Sequence, residues 1–277
     1  MDNLPSISEV VKNCGLVAKK SLGQNFLFDL NITKRIARCA GDLAGCNIIE
    51  IGPGPGALTR GLLMSGATNV IVIEKDQRFI PALNQISAAY PEKLHIVNED
   101  ALLVSEAEIL KLYGQGHNNK IVANLPYNIA TVLLFKWLEQ PGLFSGMTLM
   151  FQKEVTDRIC ADPGNKTYGR LSVMTQFNCA VDPQFDLSPQ VFFPPPKITS
   201  TLINITPHQT PQYDIERNRL GDLCKYLFSQ RRKTLRALLK GRTSSPAELL
   251  AELGIKETAR PEELSVALFV ALAKRLG

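Results

Sequence analysis

The chain has 277 residues, 45% hydrophobic and 21% charged, an ordinary globular composition but large for one compact core, so one large domain with a smaller one is expected. No apolar run reaches the length of a membrane span, and the first thirty residues lack the apolar stretch and cleavage site of a secretory signal. The six cysteines are scattered with no C-x-x-C pair, which argues against zinc and a disulfide framework and for a reducing cytoplasm; the net charge of +5 is mild but unevenly spread.

In chain order, a short helix is expected around Ile7–Asn13. Lys19-Lys20-Ser21-Leu22-Gly23-Gln24-Asn25-Phe26-Leu27 follows, two lysines before a glycine turn with an apolar anchor. It reads either as a flap, with Asn25 and Leu27 touching a small ligand and Lys19 and Lys20 meeting phosphate, or as a solvated arm. The residues alone favour the arm. Asp29 or Asn31 then caps a helix through Ile32, Ile36 and Cys39. Asn47–Ile51 is a strand that runs into Gly52-Pro53-Gly54-Pro55-Gly56 and a helix through Leu58, Leu62 and Leu63. Glycines let a ligand approach the backbone closely, and the helix start adds a positive dipole end. This is a nucleotide-type site at the first crossover of a doubly wound α/β sheet, without the G-x-G-x-x-G spacing of nicotinamide sites.

The second strand, Val70–Ile73, ends at Glu74, where such folds bond ribose hydroxyls. A helix over 77–89 leads to a third strand, Leu94–Val97, beyond which Asp100 can accept from an adenine amine. A fourth strand, Ile121–Ala123, ends in Asn124-Leu125-Pro126-Tyr127. Pro126 stops the strand and holds Leu125 extended. The Asn124 amide oxygen and the Leu125 carbonyl are two acceptors for the protons of an exocyclic amine, and Tyr127 is a ring on which the base can stack. The plain alternative is a strand-end turn with a core tyrosine. The four strand ends fall on one edge of a parallel sheet, and that concurrence is more specific than any one of them.

A helix over 132–139 carries Trp137 in the core, and Met147–Phe151 is the fifth strand. Helices are expected from Gln152 and over 173–177, and 183–189 reads as loop. Val191-Phe192-Phe193-Pro194-Pro195-Pro196-Lys197 is then fixed and extended by its prolines. It is either a second stacking surface opposite Tyr127, with Phe192 the better placed ring and Lys197 near phosphate, or a buttress with both rings buried. Thr201–Ile205 is the last strand and 207–212 the linker, dividing the chain into domains 1–206 and 207–277. Residues 217–242 hold nine Lys or Arg against one acid, Asp222, with Arg231, Arg232, Lys233 and Arg236 at the centre. Such a stripe on a small helical domain is the footprint of nucleic-acid binding. A last helix is expected to start at Pro261 and to end at Arg275.

Gly-Gln-Asn-Phe-Leu (23–27), Glu-Ile-Gly-Pro-Gly-Pro-Gly (50–56), Asn-Leu-Pro-Tyr (124–127), Val-Phe-Phe-Pro-Pro-Pro-Lys (191–197) and Arg-Arg-Lys-Thr-Leu-Arg (231–236) together resemble the KsgA family of ribosomal RNA adenine N6,N6-dimethyltransferases, over essentially the whole chain. The resemblance implies a Rossmann-like class I methyltransferase sheet with a small C-terminal all-helical domain, and S-adenosylmethionine as donor. The acceptors it implies are two adjacent adenosines near the 3′ end of small-subunit (16S) ribosomal RNA, met by a monomer within a pre-30S particle in the cytoplasm. It assigns Asn25, Leu27, Gly52, Gly54, Glu74, Asp100 and Asn124 to the cofactor, and Asn124, Leu125, Pro126, Tyr127 and Phe192 to the flipped base. RNA contacts fall to Lys19, Lys20, Lys197, Arg231, Arg232, Lys233 and Arg236. Thr199 stands where the family often has Asp. A large-subunit RNA adenine methyltransferase and a non-catalytic ribosome assembly factor are the alternatives, a nicotinamide oxidoreductase the third.

Overall fold

The structure is a computed structural model that describes residues 4–15, 23–116, 118–140 and 142–276. Lys19 and Lys20 lie outside the described residues. The chain divides into two compact units, residues 1–153 with 182–207, and residues 154–181 with 208–277. The 206/207 boundary read from the sequence therefore differs at one place, since 154–181 groups with the C-terminal helices.

The first unit opens with α1 (Ile7–Asn13), whose Ser6 and Glu9 form a capping box. β1 (Phe26–Leu27) and α2 (Leu30–Cys39), capped by Asp29, come next. The sheet then builds in alternation: β2 (Asn47–Ile51), α3 (Ala57–Met64), β3 (Asn69–Ile73), α4 (Ile80–Ala89), β4 (Leu94–Val97), α5 (Glu106–Tyr113), β5 (Asn119–Asn124), α6 (Ala130–Leu138) and β6 (Gly146–Gln152). β7 (Cys179–Leu187) and β9 (Ser200–Pro207) complete it, while β8 (Phe192–Phe193) pairs with β1 in a separate two-stranded ribbon. β2 and β3 are buried throughout and mostly apolar, as strands covered on both faces must be, with Asn47, Glu50 and Asn69 the polar residues among them.

The seven-stranded order is β4-β3-β2-β5-β6-β9-β7, parallel from β4 to β6, with β9 antiparallel to β6. Strand order reverses between β2 and β5, which opens a crevice at their carboxyl ends. At the other ends the register is pinned by three in-line asparagines. Asn69 Nδ2 donates to Asn47 Oδ1 at 2.8 Å, and Asn47 Nδ2 donates to Asn119 Oδ1 at 2.7 Å. A one-residue slip would break both bonds and turn every core side chain outward.

Three expectations are corrected and one helix is added. Residues 183–187 are strand, not loop: β7 is the edge strand, where Pro183 removes no ladder bond that the sheet needs. The last helix, α12 (Val266–Arg275), starts after Pro261, because Ser265 caps it while Pro261–Glu263 forms a separate 3₁₀ turn. The helix expected over 77–89 begins as a 3₁₀ turn over Gln77–Phe79, capped by Asp76, before α4. α5 was not expected, although Ser105 accepting from the Glu108 amide is an ordinary cap signal.

The second unit holds α7 (Lys153–Ile159, from its second residue), α8 (Arg170–Gln176), α9 (Arg217–Phe228), α10 (Leu235–Leu239), α11 (Pro246–Glu252) and α12. Leu235, Leu238 and Leu239 are buried, and Phe228 stacks on Phe269 with centroids 5.4 Å apart.

Glu106 is a fully buried carboxylate of the first unit. It accepts from Lys136 Nζ at 2.9 Å, Trp137 Nε1 at 2.7 Å and Gln140 Nε2 at 3.4 Å, which fastens α6 to α5. Removing one partner of a buried pair strands the other charge. Glu106→Ala should cost about 3–5 kcal/mol in urea unfolding; a loss under about 1 kcal/mol would mean that α6 does not depend on this carboxylate.

Candidate active site

The carboxyl ends of β2, β3, β4 and β5 border one cleft that is open to solvent. Asn25, Leu27, Gly52, Gly54, Glu74, Asp100, Asn124, Leu125, Pro126 and Tyr127 all line it. These expected residues come together because four parallel strands present their ends to one edge. Lys197 is exposed and does not line it.

The glycine loop follows β2. Gly52, Gly54 and Gly56 all have positive φ. A Cβ on Gly54 would lie 2.9 Å from the Phe26 ring, so β1 closes on the loop only because Gly stands there. Glu74, 6% exposed, accepts the Gly54 amide at 3.0 Å through one carboxylate oxygen and the Asp76 amide at 2.8 Å through the other. Burial raises its pKa. Asp100 is held by Lys75 Nζ at 2.7 Å and accepts the Leu102 amide, contacts that lower its pKa.

Asn124 Nδ2 donates to the Asn25 carbonyl at 3.0 Å. This bond joins β5 to the segment before β1 and orients the amide, using one of its two N–H donors and leaving its oxygen for a ligand. Pro126 packs on the glycine loop, with its Cγ 3.4 Å from where a Gly52 Cβ would be. A Cβ on Gly23 would meet Asn128 Oδ1 at 2.9 Å and the Tyr127 amide at 3.4 Å, so residues 23–27 cover the cleft closely. The Tyr127 hydroxyl is hydrogen-bonded to Ser200 Oγ at 2.5 Å, which fixes the ring from the first residue of β9.

Phe192 is placed differently from expectation. It is 3% exposed and packed in the core, while Phe193 is 53% exposed. β8 pairs antiparallel with β1 as Phe26↔Phe193 and Leu27↔Phe192, and this register turns Phe192 inward beside Leu27. A stacking ring needs a free face, which Phe192 lacks here.

Two residues of consequence carried no role in the sequence reading. Ser200 anchors Tyr127, and its only signal is its place just past the proline-rich segment. Glu50, 2% exposed at the floor of the cleft, is bonded to Thr59 Oγ1 at 2.7 Å. Burial first, and then the nearby Glu74, push its pKa up to about 8.

In the helical unit, Arg231 Nη2 donates to the carbonyls of Lys166 at 3.0 Å and Tyr168 at 2.6 Å, and Arg236 pairs with Glu257 at 2.7 Å. Arg232 and Lys233 are exposed and in no ion pair among the described residues. No described helix is long and apolar enough to cross a membrane.

Residues 15–277 match the family model described as ribosomal RNA adenine dimethylase. A relative from Azorhizobium caulinodans, ribosomal RNA small subunit methyltransferase A, is 49% identical over 284 residues, covering 100% of this chain and 94% of its own length. One from a Ruegeria species, of the same description, is 48% identical and covers 100% and 98%. Among solved structures, a dimethyladenosine transferase from Plasmodium falciparum superposes with a TM-score of 0.75 at 25% identity, covering 89% of this chain and 95% of that one. The 23S rRNA methyltransferase ErmE, at 24% identity and a TM-score of 0.71 over 91% and 99%, shares the fold.

Because Glu50 keeps its proton in the folded protein up to about pH 8 but loses it near pH 4.5 when unfolded, it lowers stability as pH rises through that window, by at most about 1.4 kcal/mol per pH unit. Below about pH 4.5 it contributes no slope. Glu50→Gln keeps an acceptor for Thr59 without the charge, so its stability should exceed wild type at pH 7.5 and converge with it near pH 4.5. Parallel stability curves over this range would show that Glu50 is already ionised in the fold.

Proposed function

The chain belongs to the ribosomal RNA adenine dimethylase family, and from that membership we propose that it methylates N6 of two adjacent adenosines near the 3′ end of small-subunit ribosomal RNA, giving N6,N6-dimethyladenosine in each. It is an S-adenosylmethionine-dependent methyltransferase, and ribosomal RNA is its substrate. The finer reading is that it meets this RNA as a monomer, within a pre-30S particle. The observation that carries the residue assignment is the cleft itself, where the Asn124 amide, fixed by the Asn25 carbonyl, borders the glycine loop, Glu74 and Asp100.

The residues present fit S-adenosylmethionine. The wall is glycine where a Cβ would collide, and carboxylates stand at the ends of β3 and β4 for ribose and adenine groups. When bound, the cofactor supplies an electrophilic sulfonium methyl. The protein then has to position and desolvate more than activate. Asn25, Leu27, Gly52, Gly54, Glu74, Asp100 and Asn124 hold the cofactor in this reading. The target adenosine leaves its stack at a cost of a few kcal/mol. Tyr127, tied to Ser200, offers its ring to the base. The Asn124 oxygen and the Leu125 carbonyl accept the N6 protons and draw the nitrogen towards tetrahedral geometry, which frees its lone pair for attack. Pro126 keeps both acceptors at one angle. No base has to act before attack, because the N6 proton becomes acidic once the nitrogen carries the methyl. Arg231, Arg232, Lys233, Arg236 and Lys197 supply positive charge for the RNA backbone. Of these, Arg232 and Lys233 are the better candidates, since Arg231 and Arg236 already hold partners.

Asn124→Ala should keep cofactor binding within about tenfold and lose at least about 100-fold in kcat, because the lost interaction is made mainly in the transition state. Cofactor affinity that collapses with kcat would make Asn124 a binding residue only. Labelled methyl transfer to unmethylated small subunits, to large subunits and to the free RNA of each tests the function directly. N6,N6-dimethyladenosine confined to the small-subunit acceptors is expected. Label in large-subunit RNA, or RNA binding with no transfer to any acceptor, would overturn it.

A further inference from the structure

Phe193 is one of the few large apolar side chains that the described residues leave more than half exposed. Its ring is not loose. It stacks on Phe28, with centroids 5.3 Å apart and planes at 30°. Both rings belong to one short ribbon. β8 carries Phe193, and β1 runs into Phe28. The ribbon also forms a wall of the cleft: Phe26, the register partner of Phe193, lines it, as do Leu27 and the Asn25 whose carbonyl fixes Asn124. The two rings are thus a rigid aromatic surface one strand away from the place where N6 is to be held. Downstream of Phe193, Pro195, Lys197 and Ile198 are also exposed, so the surface continues into an apolar stretch with one cation.

An exposed ring, backed by a half-buried one, beside a nucleic-acid cleft has a chemical counterpart in the RNA. Pulling an adenosine out of its stack leaves the neighbouring base with one bare face, and sequence-specific RNA binding works by stacking such splayed bases on aromatic side chains. A single-stranded base gains roughly a factor of ten or more in affinity from one aromatic ring. We propose that the Phe28–Phe193 stack is the platform for the unpaired base that flanks the target adenosine, with Lys197 near the phosphate between them. Phe193 is the ring that meets the base, and Phe28 is a positioning residue that keeps it upright. The inference rests on the reading of the cleft as the adenine-methylating site. It assigns to the Phe28 and Phe193 rings a task separate from that of the Asn25 carbonyl, which holds Asn124.

The test is steady-state methyl transfer to unmethylated small subunits, with cofactor affinity measured in parallel by calorimetry. Phe193→Ala should raise KM for the particle about tenfold, with kcat at saturation and the cofactor Kd each within about twofold of wild type. Phe193→Tyr and Phe193→Trp should restore KM to within about threefold, and Phe28→Ala should give an intermediate loss. Leu112→Ala, which removes another exposed apolar group well along α5, should change nothing. An unchanged KM in Phe193→Ala, a loss that Tyr and Trp do not repair, or a cofactor Kd that moves with KM would each overturn the platform. The last would show that the rings only brace the ribbon. Wild-type protein that transfers no methyl to small-subunit adenine would overturn the catalytic reading beneath it instead.

Discussion

The Glu74 carboxylate organises the upper edge of the sheet. One oxygen takes the amide of Gly54 from the loop after β2, the other takes the amide of Asp76 beyond β3, and Asn98, beyond β4, donates to the Glu74 carbonyl at 2.6 Å. Three strand ends are thus stitched through one residue that is almost wholly buried. An acid in such a place costs desolvation, which the two backbone amides offset in part while leaving each oxygen further capacity to accept. The same atoms that hold the loop form the floor of the cofactor cleft. Fold and binding are one set of bonds at this edge, so the site is built before any ligand arrives.

Across the sheet, the asparagines at the starts of β3, β2 and β5 do the opposite job. They fix register where no ligand comes. The division is the usual one for open α/β sheets, with stability at one end and chemistry at the other. Glu106 belongs to the first kind. It ties α6, the helix after the Asn-Leu-Pro-Tyr turn, to α5, and so sets the direction in which the turn leaves the strand.

The strand-end residues of the cleft were legible because each sits where an apolar run stops, and a parallel sheet does the assembling. What escaped the sequence depends on tertiary partners. Phe192 and Phe193 are identical side chains in adjacent positions, and only the register of β8 against β1 decides which is buried. Pro183 suggested a loop because a proline is ruled out of central strands but not of an edge, and edge position is a property of the finished sheet. α5 had its cap signal in Ser105 and Glu108, within a stretch otherwise read as a connection. Residues 154–181 carry no local mark that assigns them to the helical unit. In that unit, nothing in the sequence signals that Arg231 also donates to two backbone carbonyls.

The pairing of β1 with β8 also sets an order of assembly. Residues 26 and 27 leave the ribosome early, yet their strand partners are 192 and 193, and β6 likewise waits for β9. A chain made from its amino end folds its local units first and its distant pairings late. During synthesis the glycine loop, Glu74 and Asn124 can gather while the cleft still lacks its cover. The growing chain therefore has no closed cofactor site until nearly the whole first unit has emerged.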